Sequence, residues 1–420
     1  MIEVYIYPFY MFSRKFTGGM VVLDSATTGY SPESWLMNTV EEMNRKGLDG
    51  IIRVNCDLNA VFLPVSTNKL VIDFFGHTIN NMSVQLYKRH SNLTLMNAKV
   101  LNIYYTSGVT SGIFSVIDGS LLLKNCDITC TNYRVANVGY TSYAGRAKMK
   151  IDKDTVIRSK FSADYIGGGV SFFCAGTIIA NLPNYHKKMK GQAAYQKNFI
   201  DREWRTEFYC DGTIISEFPS GGDNEVAYCI CTNGSAGWVG PDITIGKNAK
   251  ITVTGRTTGI GIHQVAGGTL TLLGGEITAP TGITCRSARV YAPADSTVKI
   301  HATGDYAPYI INTGSGIGGT NMTTGNAIMV EAFRAGYGST EGSHLTETPD
   351  VKLLGGTFQS DNNLAVGSFS HTISGGGYYP RTTKFVSPSV QLVSNREHEP
   401  SELEYNYETG SGGDWEIINS

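Results

Sequence analysis

The stretch Gly268-Thr269-Leu270-Thr271-Leu272-Leu273-Gly274-Gly275-Glu276-Ile277-Thr278-Ala279-Pro280 decides the fold of this chain. Apolar and polar residues alternate on both sides of a Gly-Gly pair, a pattern typical of two short strands joined by a tight corner. The same arrangement returns, in more or less complete form, at residues 93–100, 121–128, 172–178, 208–214, 351–358 and 372–378. Repetition of one small unit indicates a repeat architecture that grows along one axis, not a set of separate globular domains.

The composition supports short strands and excludes several classes of partner. The 420 residues include 49 glycines, 13 prolines and only 17% charged residues, which is typical of strands that are joined by tight corners. A formal net charge of −2 provides no general attraction to nucleic acid or to anionic membranes. No stretch has the apolar length needed to span a bilayer. We therefore expect neither a nucleic-acid partner nor a membrane span.

The apolar residue that follows each corner marks one circuit of the chain. Ten such residues are recognised: Ile79, Val100, Ile128, Val156, Ile178, Ile214, Ile251, Ile277, Phe358 and Tyr378. Most of them lie roughly 20–28 residues apart, which is too long for hairpins and suits strands that return parallel to themselves. The 81 residues from Ile277 to Phe358 predict two further coils, near 298–300 and 327–330. The total is then about twelve coils.

One amphipathic helix is predicted before the strands begin. Ser31 suits the N-cap, Pro32 the first turn, and Gly47 the position just after the helix. A stack of coils leaves an apolar end that a terminal element has to cover. We therefore expect residues 31–50 to form a capping element, with Trp35 contributing to the apolar plug.

The two ends of the chain differ from the repeats in composition. Residues 1–30 begin with an aromatic segment in which acidic Glu3 precedes any base, so the features of a secretory signal are missing. This segment is either a first strand that covers the core or an arm that adds to a partner's sheet. Residues 395–420 hold seven acids and one base, a composition typical of disorder. We expect the solenoid to span 51–394 and both ends to contact other chains of an assembly.

The eight cysteines indicate buried thiols. Cys174 and Cys210 occupy the same place in two repeats, and Cys126 a similar one, so they are expected to stack in the interior without forming disulfides. Cys229 and Cys231 are separated by one residue, which is too few for the usual zinc pair. We therefore expect no metal, no cofactor, and assembly in a reducing cytoplasm.

The alternating strands, the glycine corners and the helix that leads into Ile51-Ile52-Arg53-Val54 resemble the right-handed parallel β-helix proteins. That group includes pectate lyases and bacteriophage tailspikes. The resemblance covers residues 51–390 and implies an all-β parallel β-helix of about twelve coils with one N-terminal capping helix. The tailspike likeness also implies a homotrimer. The repeats at 355–358 and 374–378 resemble surface proteins of gut bacteria as well.

Two consecutive intervals are longer than the rest, at 36 residues from Ile178 to Ile214 and 37 from Ile214 to Ile251. The additional residues lie within 182–205 and 218–241. Insertions that leave adjacent coils after the same strand emerge side by side, so these two segments predict one wall or cleft. Long segments on a rigid scaffold frequently carry function.

These two segments contain the candidate site residues. Aromatic rings with polar neighbours suit either a sugar ring or a subunit interface, and the residues of this kind are His186, Tyr195, Trp204, Tyr228 and Trp238. A glycosidase needs two carboxylates at a defined separation, and the candidates are Asp201, Glu203, Asp223 and Glu225. Elsewhere on the solenoid, no two acids occupy matching positions on adjacent coils when the coils are aligned by their marker residues.

Three functions follow from the sequence. The first is a structural and recognition subunit of a bacteriophage particle, such as a tailspike, fibre or decoration protein. This subunit would be assembled in the host cytoplasm, bound to other virion proteins through its two ends, and in contact with host surface polysaccharide. The second is a polysaccharide lyase or glycoside hydrolase that uses the two long segments. The third is a bacterial surface adhesin. We favour a recognition role over an enzymatic one.

Overall fold

The protein is described here by a computed structural model. It describes residues 19–23, 31–67, 69–88, 90–102, 112–131, 135–139, 147–159, 164–166, 170–180, 188–190, 206–217, 227–233, 241–254, 259–264, 268–286, 289–305, 311–312, 319–320, 325–332, 350–370, 383–394 and 416–417. They belong to two compact units, Met1–Ala180 and Asn181–Ser420.

The first unit contains one helix and short strands. In chain order these are β1 (Gly19–Leu23), α1 (Pro32–Lys46), β2 (Gly50–Val54), β3 (Leu58–Val65), β4 (Leu70–Asp73), β5 (Thr78–Leu86), β6 (Asn92–Met96), β7 (Lys99–Asn102), β8 (Phe114–Val116), β9 (Ser120–Lys124), β10 (Asp127–Cys130), β11 (Ala136–Val138), β12 (Lys148–Ile151), β13 (Val156–Ser159), β14 (Asp164–Ile166), β15 (Ser171–Cys174) and β16 (Thr177–Ala180).

These strands form three parallel faces. The first face has the order β1-β2-β4-β6-β9-β12-β15. The second face has the order β3-β5-β7-β10-β13-β16, and the third face joins the end of β5 to β8, β11 and β14. Each circuit of the chain contributes one strand to the first face and one to the second, so the described part of this unit has six coils.

The second unit consists of strands in its described residues. They are β17 (Lys188–Lys190), β18 (Glu207–Cys210), β19 (Thr213–Glu217), β20 (Ala227–Asn233), β21 (Asp242–Ile245), β22 (Lys250–Thr254), β23 (Gly259–Gln264), β24 (Thr269–Leu272), β25 (Glu276–Ala279), β26 (Thr281–Arg286), β27 (Arg289–Ala292), β28 (Lys299–Ala302), β29 (Ile311–Asn312), β30 (Gly319–Thr320), β31 (Ile328–Ala332), β32 (Asp350–Leu353), β33 (Thr357–Ser360), β34 (Val366–Ser370), β35 (Thr383–Val386), β36 (Gln391–Ser394) and β37 (Glu416–Ile417).

The second unit repeats the three-face plan. Its first face is β18-β21-β24-β27-β32-β35-β37, and its second face is β19-β22-β25-β28-β33-β36. Its third face is β17-β20-β23-β26-β31-β34. All these pairs are parallel, while β29 and β30 form a small antiparallel pair. The predicted all-β parallel β-helix with an N-terminal helix is therefore confirmed.

Six coils in each described unit agree with the predicted total, but the coils are not all the predicted ones. The interval between Ile277 and Phe358 holds one coil, marked by Ile300 on β28, and not two. The apolar run at 327–330 belongs to β31, which pairs with β26 on the third face of that same coil. An apolar run predicts a strand, but it does not say to which face the strand belongs.

Three further marker residues of the coils differ from the prediction. An additional coil precedes Ile79, because Leu58 on β3 is its register partner. The residue opposite Ile128 is Ile157, and not the neighbouring Val156. Tyr378 lies outside the described residues, and the last described second-face strand is β36, where Leu392 is opposite Phe358.

The helix is built as its sequence predicts. Ser31 Oγ accepts a hydrogen bond from Ser34 N at 3.2 Å, and Gly47 ends the helix with φ +63°. The buried residues are Leu36, Thr39, Val40 and Met43, whereas Trp35 is only part-buried. The helix packs on β3, so it caps the apolar end of the unit through its aliphatic residues, and the tryptophan contributes less than expected. Residues 19–23 of the predicted arm add β1 to the first face.

Inward residues of successive strands form apolar ladders. In the deciding stretch, Leu270, Leu272, Ile277 and Ala279 are fully buried, while Thr271 and Thr278, which alternate with them, are not. Each fully buried aliphatic side chain of leucine or isoleucine size contributes about 1.5–3 kcal/mol of transfer free energy. The alternation read from the sequence thus sets which side of each strand faces the core.

None of the eight cysteines, all of which are in the described residues, forms a disulfide, as predicted; Cys56 is half-buried and the other seven are buried. Burial raises the pKa of the Cys126 thiol to about 11, so this thiol stays protonated and unreactive at neutral pH. Within the described residues, no helix is both long enough and apolar enough to cross a bilayer.

Candidate functional site

The two long segments meet on the third face of the second unit. Strand β17 lies within residues 182–205 and β20 lies within 218–241, and the two strands pair in parallel with Lys188 opposite Cys231. The prediction that these segments lie side by side is correct at these strands. They are not simple insertions, however, because each contributes a strand to the third face.

Tyr228 is the predicted site residue that falls within the described part of the chain. Its side chain is 5% exposed and clusters with Cys231 and Ile260. Its ring centroid lies 5.2 Å from that of His263, and burial raises the pKa of its hydroxyl. This placement gives Tyr228 a packing role. The other predicted residues, His186, Tyr195, Asp201, Glu203, Trp204, Asp223, Glu225 and Trp238, lie outside the described residues.

His263 belongs to a polar ladder in the same region. Cys231, His263 and Thr284 are register partners on β20, β23 and β26. His263 is 2% exposed, and its Nδ1 lies 2.5 Å from Thr284 Oγ1. The ladder joins three consecutive coils through buried groups.

The carboxyl-terminal ends of both long segments lead into adjacent strands of the first face. Strand β18 begins at Glu207 and β21 begins at Asp242, and these two residues are opposite each other in register. Neighbouring strands are ~4.8 Å apart. Glu207 is exposed, and Asp242 Oδ1 accepts a hydrogen bond from Thr269 N at 2.8 Å. We refer to Glu207 and Asp242 as the acid pair.

The acid pair corrects the expectation that no two acids match on adjacent coils. The residue that follows each corner, used as the marker of a coil, lies on the second face. The acid pair lies on the first face, where it begins two neighbouring strands. The intervals between coils differ in length, so an alignment on one face does not carry over to another. Aligning the stretches Glu207–Cys210 and Asp242–Ile245, both of which alternate polar and apolar residues, would have revealed the pair.

A row of hydroxyl-bearing side chains runs beside the acid pair on the outer side of the first face. Tyr209, Thr244, Thr271 and Tyr291 are successive register partners on β18, β21, β24 and β27. We call this set the tyrosine row. Its two rings stand three strands apart, or ~14 Å at the usual strand spacing. Tyr291 is 36% exposed and Tyr209 is half-buried.

Packing fixes the position of the Tyr209 ring. A Cβ added at Gly246 would lie 2.8 Å from Tyr209 Oη and 2.2 Å from Asp211 Oδ1, so the absence of a side chain there makes room for both groups. Asp211 is held in turn by Asn248, whose backbone N and Nδ2 donate to its carboxylate at 2.9 and 3.0 Å. Burial, together with the nearby charge of Asp211, raises the pKa of Tyr209.

This surface can bind a polyhydroxylated chain. Rigid aromatic rings offer apolar faces with a polar tip. The threonine hydroxyls between the rings donate or accept hydrogen bonds, and the carboxylates of the neighbouring acid pair accept them. The part of the chain that the structure describes holds no group of three or more His, Cys, Asp or Glu side chains that could bind a metal ion.

A second polar cluster lies on the second face of the second unit and was not recognised from the sequence. His301 Nε2 lies 2.8 Å from Asp361 Oδ1, and Gln359 Nε2 donates to the same oxygen at 3.2 Å. The cluster joins β28 to β33 across the longest interval between described coils. Its polar groups satisfy one another, and so it serves to hold these two coils together.

The chain matches no protein-family model, no curated protein and no solved structure. One fold hosts many functions, so the function has to be argued from the side chains on the solenoid wall.

Proposed function

We propose that this protein is a structural and recognition subunit of a bacteriophage particle that binds host surface polysaccharide. The observation that supports this proposal is the tyrosine row, which sets two aromatic rings and two threonine hydroxyls in register beside the acid pair. The row offers a long shallow surface, which suits an extended sugar chain better than a small compact molecule.

The parallel sheet under the tyrosine row favours binding because it is rigid. Each strand of the row is paired in parallel with the next, and the inward residues Phe208, Ile243, Leu270 and Val290 are buried. The outward side chains are therefore held in place before the ligand arrives, which reduces the entropy lost on binding. A polysaccharide would contact several coils at once, and its weak contacts would add up along the row.

The proposal includes assembly as a homotrimer in the host cytoplasm, with other virion proteins bound through residues 1–30 and 395–420. It is supported by the resemblance to tailspikes and by the unusual composition of both ends, since the tail has seven acids and one base. The short strands β1 and β37 attach parts of these ends to the first faces of their own units.

Removal of both rings of the tyrosine row tests the binding surface. We expect Tyr209→Ala/Tyr291→Ala to weaken binding to polysaccharide extracted from the host surface by about 10- to 100-fold. The reason is that each aromatic contact contributes roughly 0.5–1.5 kcal/mol. Binding is measured by biolayer interferometry on immobilised polysaccharide, with circular dichroism to verify the fold.

Tyr87→Ala is the matched control, because Tyr87 is 49% exposed and lies outside the row. It should bind as the wild type does. Unchanged binding by the double variant, or an equal loss in the control, would contradict a role for the tyrosine row.

The acid pair favours a second candidate function, a glycoside hydrolase. Retaining glycosidases place their two carboxyl groups about 5–5.5 Å apart, and Glu207 and Asp242 start on strands with ~4.8 Å spacing. The wild type would then release new reducing ends from the polysaccharide. Glu207→Gln and Asp242→Asn should each lower that rate by about 10²-fold or more, while polysaccharide binding persists.

Glu276→Gln, which changes an exposed acid on the second face, serves as the control for the hydrolase assay. Asp242→Asn keeps an oxygen that can accept the hydrogen bond from Thr269 N, so it tests the charge and not the fold. If the wild type releases no reducing ends, the hydrolase is rejected and the recognition role stands.

A further inference from the structure

The first face of the first unit carries a group of cations that the tyrosine row does not use. Lys148 and Lys150 extend outward from β12, and Lys124 ends the neighbouring strand β9. All three are exposed. Lys150 is opposite Leu122 in register, and Leu122 is two residues before Lys124. Lys150 therefore starts ~7–8 Å from Lys148 and from Lys124, whereas Lys148 and Lys124 start ~14 Å apart.

The acids around these lysines are bound to other groups. Asp127 pairs with Arg158 at 2.5 Å, and Asp73 Oδ1 accepts from Asn97 Nδ2 at 2.8 Å. Asp152 Oδ1 accepts from Asn125 N at 3.0 Å and from Thr155 Oγ1 at 2.7 Å.

Among the described residues, no acid lies within ion-pair distance of the three lysines. Within that part of the chain, no ion pair compensates their positive charge. Like charges ~7–8 Å apart repel one another, and an anionic ligand would offset that repulsion.

Apolar side chains lie on both sides of Lys150. Phe173 on β15 is opposite Lys150, and Lys150 Nζ lies 5.0 Å from the centroid of its ring. Leu122 occupies the same outward row on the other side of Lys150, and both apolar side chains are part-exposed. This surface, made of Lys124, Lys148, Lys150, Leu122 and Phe173, is here called the basic face.

We propose that the basic face binds an acidic polysaccharide, a polymer whose sugars carry carboxylate or sulfate groups. The lysines supply charge-assisted hydrogen bonds to the anionic groups, and the ring and the leucine contact the apolar sides of the sugars. The inference goes beyond the proposed function, because it adds a second surface on the other unit and names the chemical class of the polymer.

The charge density of the basic face favours a sparsely charged polymer over nucleic acid. Duplex DNA carries one charge per about 1.7 Å of its axis, and its binding proteins present wide basic surfaces, usually on a basic domain. Three lysines on a chain of net charge −2 do not form a basic surface of that extent. A sugar acid polymer has at most a few charges within reach of this surface, which three lysines can neutralise.

The test compares polymers of different charge. The full-length protein is titrated with polygalacturonate, with its fully methyl-esterified form, with neutral dextran and with a short DNA duplex, at 0.05 M and 0.5 M salt. We expect the wild type to bind polygalacturonate at low salt and the ester at least about 10-fold less well, since esterification removes the charges that the exposed lysines would contact. High salt should remove the difference, because it screens exposed charges.

The triple variant Lys124→Gln/Lys148→Gln/Lys150→Gln should lose about 10-fold or more in affinity for polygalacturonate at low salt. The control is Lys247→Gln/Lys250→Gln/Lys299→Gln, which removes three exposed lysines from the second unit and changes the net charge equally. It should bind as the wild type does. Thermal unfolding of both triple variants verifies that they are folded.

The inference is overturned if the variant of the basic face binds polygalacturonate like the wild type, if the control loses as much, if the ester binds equally well, or if DNA is preferred. The outcome separates the two proposals. Host polysaccharide that binds through the tyrosine row without any effect of the basic-face lysines leaves the proposed function standing and removes this one. Polygalacturonate binding that depends on these lysines, together with host-polysaccharide binding that Tyr209→Ala/Tyr291→Ala leaves unchanged, supports this inference and removes the tyrosine row.

Discussion

Gly275→Ala is expected to lower the free energy of unfolding by about 2–5 kcal/mol. Gly275 has φ +82°, a conformation that costs an L-residue roughly 1–2 kcal/mol. In addition, a Cβ at this position would lie 2.6 Å from Ala249 O and 2.9 Å from Gly246 O, two backbone atoms of the coil next to it. Backbone that is hydrogen-bonded into a ladder cannot move away, and the clash adds about 1–3 kcal/mol.

Gly76→Ala is the control that separates these two costs. Gly76 has almost the same backbone conformation, φ +85°, but nothing lies within 4 Å of an added Cβ. Its substitution should cost only the roughly 1–2 kcal/mol of the backbone conformation. The two glycines belong to different units, so each loss is measured by amide hydrogen exchange in the strands that flank the corner. Equal losses would show that the stacking of coils does not require a glycine at this corner.

Phe358→Ala is expected to destabilise the second unit by about 3–5 kcal/mol. Phe358 is fully buried, and its register partners on the neighbouring strands are Ile300 and Leu392. Truncation leaves a cavity in the inward ladder. The neighbouring coils keep their spacing because their backbones are hydrogen-bonded to one another, so the cavity cannot close by collapse. The loss is measured by urea unfolding monitored by circular dichroism.

Phe62→Ala is the matched substitution on the surface, since Phe62 extends outward from β3 and is 40% exposed. It should change stability by less than about 1 kcal/mol. A similar small effect of Phe358→Ala would contradict the assignment of Phe358 to the core. Phe358→Leu, which fills most of the volume, should recover most of the lost stability.

Features that depend on neighbouring residues along the chain could be predicted from the sequence. The helix begins after Ser31 and ends before Gly47, as expected, because capping side chains and a left-handed glycine act within one turn. The corner at Gly274 and Gly275 and the alternation around it are also local. They set the strands, the inward residues and hence the solenoid.

Features that depend on the stacking of distant segments could not be predicted in the same way. Residues 327–330 were assigned a coil of their own, but they lie on the third face of the coil of Ile300. Tyr228 was predicted at a surface and is buried beside His263. The residue types at 327–330 indicated a strand, and the tyrosine at 228 indicated an aromatic contact. Only the three-face arrangement decided to which face the strand belongs and that the Tyr228 ring is buried.

The sequence by itself determined that this chain is a parallel solenoid with a capped end, because alternation, glycine corners and helix caps act over a few residues. Only the tertiary structure decided that Glu207 meets Asp242, that Tyr209 and Tyr291 share a row, and that Lys124 lies beside Lys150. The physical reason is register. Coils of unequal length bring together residues whose separation along the chain follows no fixed period, and the hydrogen bonds between strands select the partners.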